Sequence, residues 1–341
     1  MGKDNMTSKI TEIRTFLMGV AILCIMVFHT TDIFVVPIFM ASIQKTGYLG
    51  VDIFFFVSSY GLYYSMQKTT SLKEWYLRRL KRILPTFWLI SITMGLVKGW
   101  SLYEHLREET FFGFFLPWTN RDVYYDVIFW YIPAALLFYL LFPLFYKYRR
   151  LILLGYIPIV ILSYAVSTIV SSFLGSRGWA PYIPGFLGRI PVFILGLIVA
   201  EYEDKIREKL SVSSTALLVL VSFLCFVLLE CQAMDILKVL SFPCHDFFFM
   251  ACSLPFICWA CSLLQKYVKI PNPFILYCGK YSLELYLLHV AFVSIVISRP
   301  ELFSSINSNY SFGGAFLLSF PLAWVLHNGI DKIITKCSSI Q

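Results

Sequence analysis

FLMGVAILCIMVFHTTDIFVVPIFM, residues 16–40, decides how the rest of the chain is read. It is apolar from Phe16 to Phe28 and, beyond His29 and Asp32, apolar again to Met40, with no small-residue cleavage site to mark a signal peptide. The stretch predicts a retained membrane helix that carries an imidazole inside it. An ionisable side chain at the bilayer centre costs about 2.5–3.5 kcal/mol on insertion scales, so such a residue is a functional-site candidate by default.

The composition agrees. Over 341 residues the chain is 58% hydrophobic, 18% aromatic and only 14% charged, with a mean hydropathy of +0.73. A soluble domain of this composition would carry more apolar surface than its core could hide, which excludes ordinary soluble enzymes, disordered chains and nucleic-acid modules despite the formal charge of +8. The nine cysteines show no paired metal spacing, and Cys258 and Cys261 of CWAC lie in an apolar run where Cys behaves as a small hydrophobe.

A spanning helix needs roughly 20 mostly apolar residues. Ten such stretches are predicted between basic or Pro/Gly-rich breaks: 15–36, 48–66, 83–99, 127–146, 151–174, 186–202, 212–231, 242–264, 274–297 and 311–330. The expected fold is therefore an all-α polytopic membrane helix bundle, one integral-membrane domain over 1–341 with no soluble domain appended. Most of the 28 Lys and Arg residues fall on the side of the N-terminus, among them Lys68, Arg78, Arg79, Arg82, Lys147, Arg150, Lys205, Lys266, Lys332 and Lys336, which predicts both termini in the cytoplasm. Arg121, Arg177 and Arg189 belong to the smaller outer set. The one long outer loop is expected over 100–126.

Buried polar residues carry the chemistry. His29 is expected in the outer half of the first helix and Asp52 at the start of the second, about equally far from a turn near residues 40–41, so an antiparallel hairpin would pair them. Such a pair suits proton abstraction, because imidazole titrates near neutral pH and a carboxylate behind it fixes the tautomer. The bland alternative is a polar staple between two helices. Arg78 and Arg82 share a helical face with Arg79 beside it, a phosphate-binding cluster or else a topology anchor. Ser282, Tyr286 and His289 fall on one face at spacings of four and three. His327, His245, Asp246 and Cys244 are expected to be structural.

Six segments in order resemble the acyltransferase 3 family of integral-membrane enzymes: MGVAILCIMVFH (18–29), GYLGVDIFFFVSS (47–59), WYLRRLKRILP (75–85), WYIPAALLFYLLFPL (130–144), RIPVFILGL (189–197) and GKYSLELYLLH (279–289). The resemblance covers nearly the whole chain. It implies transfer of an acyl group, usually acetyl, from cytoplasmic acyl-CoA to a hydroxyl of a cell-surface or exported glycan in a bacterial inner membrane. It also implies His29 as the catalytic histidine, Asp52 as the motif aspartate, and Arg78, Arg79 and Arg82 near the donor. The family arginine eleven positions before the histidine is Met18 here, and Arg14 lies one turn earlier.

A CoA held by those arginines and Arg14 would have to reach fifteen residues along the first helix to His29, about 22 Å at 1.5 Å per residue. Trp130 and Tyr131 are expected at the outer mouth against the acceptor, with Ser282 and His289 lining the substrate path. Acyl-CoA would be a co-substrate rather than a resident cofactor, and the partners expected are the glycan acceptor and membrane lipid, with no nucleic acid and no metal. A polytopic transporter or flippase with a buried His/Asp proton relay is the alternative.

Overall fold

The computed structural model describes residues 10–31, 38–115, 130–174, 182–236, 245–270, 272–303 and 308–338. Trp118, Arg121 and Asp122 of the long outer loop, Arg177 and Cys244 lie outside these ranges, as does the side chain of His245.

All regular elements among the described residues are helical. They run α1 (Ile10–Phe28), α2 (Ile38–Thr46), α3 (Gly50–Gln67), α4 (Leu72–Lys98), α5 (Leu102–Glu109), α6 (Tyr131–Lys147), α7 (Arg149–Leu154), α8 (Tyr156–Leu174), α9 (Ile183–Gly188), α10 (Ile190–Lys209), α11 (Val212–Ala233), α12 (His245–Tyr267), α13 (Asn272–Lys280), α14 (Ser282–Ser298) and α15 (Ser308–Ser338). Among the described residues seven spans are long and apolar enough to cross a bilayer: α1, α4, α8, the α9–α10 unit, α11, α12 and α15. An eighth arises if α13 and α14, bent by 81° at their junction, count as one. The protein is a multi-pass membrane bundle.

Each of the ten predicted stretches has a helical counterpart, but α3 and α6 differ from the others. The α6 helix, at 17 residues, is short for a span. The α3 helix buries nearly its whole length, from Gly50 to Tyr63, against α1, α6 and α10. A helix apolar on every face is the mark of a bundle's centre.

The first helix also stops earlier than predicted. The Thr30 and Thr31 hydroxyls donate to the carbonyls of Val27 and Phe28 at 2.6 Å each, satisfying groups that a continuing helix would use. His29 therefore sits just past the end of α1 rather than within it. At the other end, the N–H of Ile10 donates to Glu203 Oε1 at 2.9 Å, and the Tyr60 hydroxyl donates to Glu203 Oε2 at 2.5 Å. A carboxylate on the first turn complements the positive end of the helix and ties α1 to α10.

The α1 and α13 helices approach backbone to backbone. A Cβ at Gly19 would collide with the carbonyl of Ile275, and one at Gly279 with the carbonyl of Thr15. Small residues at such crossings permit the close packing that holds membrane helices together. The α13–α14 break follows directly, placing Lys280 and Ser282 on either side of the bend.

Candidate active site

The chain after α1 carries an imidazole pair. His29 Nδ1 lies 3.0 Å from His289 Nε2. His289 Nδ1 lies 2.7 Å from the carbonyl of Leu285, which can only accept, so that nitrogen carries the proton. In the neutral pair His289 Nε2 is then an acceptor, and His29 Nδ1 must donate to it. This leaves His29 Nε2 unprotonated, with its lone pair available. His289 is wholly buried on α14, whereas His29 is partly exposed.

His29 lines a chamber of about 270 Å³ whose walls include Phe28, Tyr48, Trp130, Tyr182, Arg189 and Phe247. Trp130 and Tyr182 lie nearly parallel, their planes 3° apart. Beside the chamber the Tyr48 hydroxyl donates to Asp246 Oδ2 at 2.6 Å, so Asp246 braces a chamber wall.

Asp52 does not pair with His29 as the hairpin arithmetic predicts. Its Oδ2 accepts from Arg189 Nε at 3.2 Å, and both side chains are almost fully buried, at 0% and 4% exposure. The cause is local. Asp52 lies in the first turn of α3, where a carboxylate is favoured, and Arg189 sits between α9 and α10, donating also to the Gly185 carbonyl at 3.2 Å. The α3 and α10 helices pack extensively, which carries the arginine to the aspartate. Arg189 also lies over the rings of Phe247 at 4.2 Å and Trp130 at 4.9 Å. It is a wall of the chamber.

A second cavity of about 180 Å³, a cleft, is lined by Arg14, Arg82, Tyr131, Lys280, Ser282 and Tyr286 among others. Arg14 and Met18, one turn apart on α1, line it together. Gly61 makes room for it, since a Cβ there would press on the Arg14 guanidinium at 3.1 Å. Tyr286 lines both cavities, with the Tyr131 ring packed edge-on at 5.2 Å. Arg14 and His29 lie at opposite ends of α1, so the two cavities follow that helix from the arginines toward the imidazole.

The three loop arginines diverge. Arg82 reaches the cleft and donates to Glu284 Oε1 at 3.1 Å. Arg79 is spent on the Ser65 hydroxyl and the Trp75 carbonyl, its guanidinium 4.2 Å above the Trp75 ring. Arg78 is exposed, 3.9 Å from Glu74, and does not line the cleft. His327 is drawn into the same network, with Nδ1 3.0 Å from Glu284 Oε1 and Nε2 3.2 Å from Asp331.

Of the sequence-predicted residues, the structure thus places His29 and Trp130 in the wall of the chamber, with His289 bonded to His29 beside it, and Arg14, Arg82, Tyr131 and Ser282 around the second cavity, the cleft. Asp52 braces Arg189. Arg189 is the residue that the sequence reading passed over, although a lone Arg between Gly188 and Pro191 in a run apolar on both sides is itself an intramembrane charge.

Comparison with known proteins bears on the same residues. A family model described as an acyltransferase domain matches residues 16–328. A protein of Acidianus two-tailed virus named provisionally as an acetyltransferase, ORF330, is 25% identical over 147 residues, which is 42% of this chain and 42% of that protein. The match thus spans less than half of the relative's length. No solved structure matches. The family match begins at Phe16 in α1, takes in the imidazole pair, the His29 chamber, the second cavity apart from Arg14, and the Arg82–Glu284–His327 network, and ends within α15, and on that extent the chain belongs to the acyltransferase 3 family.

Proposed function

We propose that the protein is a membrane O-acyltransferase that moves an acyl group, most simply acetyl, from cytoplasmic acyl-CoA to a hydroxyl of a cell-surface or exported glycan. The observation that carries this reading is the direction of the His29–His289 bond, which leaves a basic nitrogen at the end of α1 in a chamber lined by aromatic rings. Family membership and the acetyltransferase name of the viral relative support the acyl chemistry.

In this mechanism the thioester enters past Arg14, Arg82 and Lys280 and reaches the chamber by way of Tyr286. His29 Nε2 takes the proton of the acceptor hydroxyl as its oxygen attacks the acyl carbon. The C–S bond then breaks, and the imidazolium returns the proton to the departing thiolate, giving ester and free CoA. His289 accepts from Nδ1 throughout and holds the ring in the useful tautomer. Trp130, Tyr182 and Phe247 offer flat apolar faces to a sugar ring, and Arg189 offers a fork of donors to its oxygens.

A plasma-membrane location with both termini in the cytoplasm fits the basic cleft facing the donor. A transporter would be expected to show broken helices in two related halves. The described residues contain one such bent pair. Incubating the purified protein in detergent with radiolabelled acetyl-CoA tests the proposal: the label should leave CoA for water or an added glycan, and intact acetyl-CoA after prolonged incubation would count against it.

A further inference from the structure

Beyond the cleft, and sharing Lys280 with it, lies a wider groove of about 660 Å³ formed where the α13–α14 bend meets the last third of α15. Lys280, Lys332 and Lys336 line it with Tyr281 and Trp324, and one carboxylate, Asp331, faces them. That carboxylate is engaged by His327 Nε2 at 3.2 Å, and the lining of the groove counts three lysines to this one carboxylate. Trp324 is half exposed, offering an indole face at the rim.

The groove and the cleft differ in a way that matches the two ends of one molecule. The cleft is narrow, with a volume of about 180 Å³, suited to a thin chain, whereas the groove is more than three times larger, cationic and aromatic. Resting on the acyl-CoA reading above, we infer that the groove seats the nucleotide end of the donor. Lys332 and Lys336 meet the 3′-phosphate and 5′-diphosphate, an aromatic face takes the adenine, and Lys280 stands where the pantetheine arm turns into the cleft. Lysine is a point charge that follows a mobile phosphate, and exposed rings stack on any base. Arg78 and Arg79 are occupied elsewhere or turned away, so the phosphate site shifts from the α4 arginines to α15.

The relay Asp331–His327–Glu284–Arg82 runs from this groove to the cleft. Its outer member sits among the lysines that would bind phosphate, and its inner member lines the passage for the arm.

The test uses the purified full-length protein in detergent and measures dissociation constants for CoA and for dephospho-CoA, which lacks the 3′-phosphate. The wild type should bind CoA more tightly. The Lys332→Gln/Lys336→Gln variant, altered at two exposed positions, should bind CoA about fivefold to tenfold more weakly, at roughly 0.5–0.7 kcal/mol per surface ion pair lost. It should also lose the preference over dephospho-CoA, with the KM for acetyl-pantetheine unchanged. Lys205→Gln/Lys209→Gln, which removes the same charge away from the groove, should change neither constant.

Unaltered CoA affinity in the groove variant, while the wild type still consumes acetyl-CoA, overturns the groove and leaves the donor reading standing. Equal weakening in both double variants reduces the effect to net charge and overturns it too. If the groove variant instead loses phosphatidylglycerol from mixed micelles while keeping CoA, the phosphate it binds belongs to a lipid headgroup and the nucleotide assignment is wrong. A wild type that neither binds nor consumes acetyl-CoA removes both readings.

Discussion

His29 Nδ1 and His289 Nε2 stand 3.0 Å apart, and because His289 gives its own Nδ1 proton to the Leu285 carbonyl, the hydrogen bond between the rings runs one way, from His29 to His289. His289 is a positioning residue. His289→Ala should lower kcat about tenfold to a hundredfold, the scale of losing orientation at a reacting group, with little change in KM for acyl-CoA. His289→Gln, whose amide oxygen can accept from Nδ1, should recover part of the loss. Equal loss in both variants would assign His289 to packing alone.

The loop arginines separate by direction. Arg82→Lys keeps a charge beside Glu284 but loses the guanidinium fork over the cleft, and should raise KM for acyl-CoA several-fold. Arg78→Gln should leave it where it was, since Arg78 points to Glu74 and solvent. Steady-state kinetics at varied acyl-CoA distinguish the two; a matching rise in both would restore the loop to a single phosphate site.

Arg189 and Asp52 form a buried pair whose value shows only when one partner is removed. Arg189→Met strands the Asp52 carboxylate and should cost about 3–5 kcal/mol, as uncompensated buried charges do. The double variant Arg189→Met/Asp52→Leu should recover much of that stability without recovering activity. Thermal unfolding in detergent alongside acyl-transfer assays measures both, and a double variant no more stable than the single would contradict the pairing.

On α5, outside the long spans, burial lifts the Glu108 carboxyl to about 7 despite the neighbouring Arg107. A raised carboxyl favours the folded protein while it is protonated. That contribution is complete below the ordinary value near 4.5 and is lost as pH rises through about 7. The melting temperature should therefore fall between pH 5 and 8, and Glu108→Gln should flatten the fall. An unchanged slope in the variant would place the pH dependence elsewhere.

Much of this was legible in the sequence because membrane burial leaves few polar residues to choose among. His29, Arg14, Arg82 and Ser282 stand out as charged or polar positions in apolar surroundings, and all line a cavity. Helical periodicity also brings Tyr286 and His289 to one face. What the sequence could not supply is which distant helix answers each group. The hairpin arithmetic put Asp52 opposite His29 by depth alone, whereas rotation about the α3 axis and the packing of α10 give it to Arg189. Likewise the partner of His29 lies 260 positions away on α14, beyond the reach of any local spacing rule.

The break between α13 and α14 was hidden for a related reason. Residues 274–297 are apolar enough to read as one span, and the bend falls just after Gly279, which packs against the Thr15 carbonyl of a helix at the other end of the chain.

The most direct test of the account is acyl transfer by His29→Ala, assayed with labelled acetyl-CoA at matched amounts of correctly inserted protein. Removing a general base should lower the rate by about a hundredfold to ten-thousandfold while the protein accumulates and melts as before. A variant that transfers acetyl within a fewfold of the wild type would show that another group takes the proton.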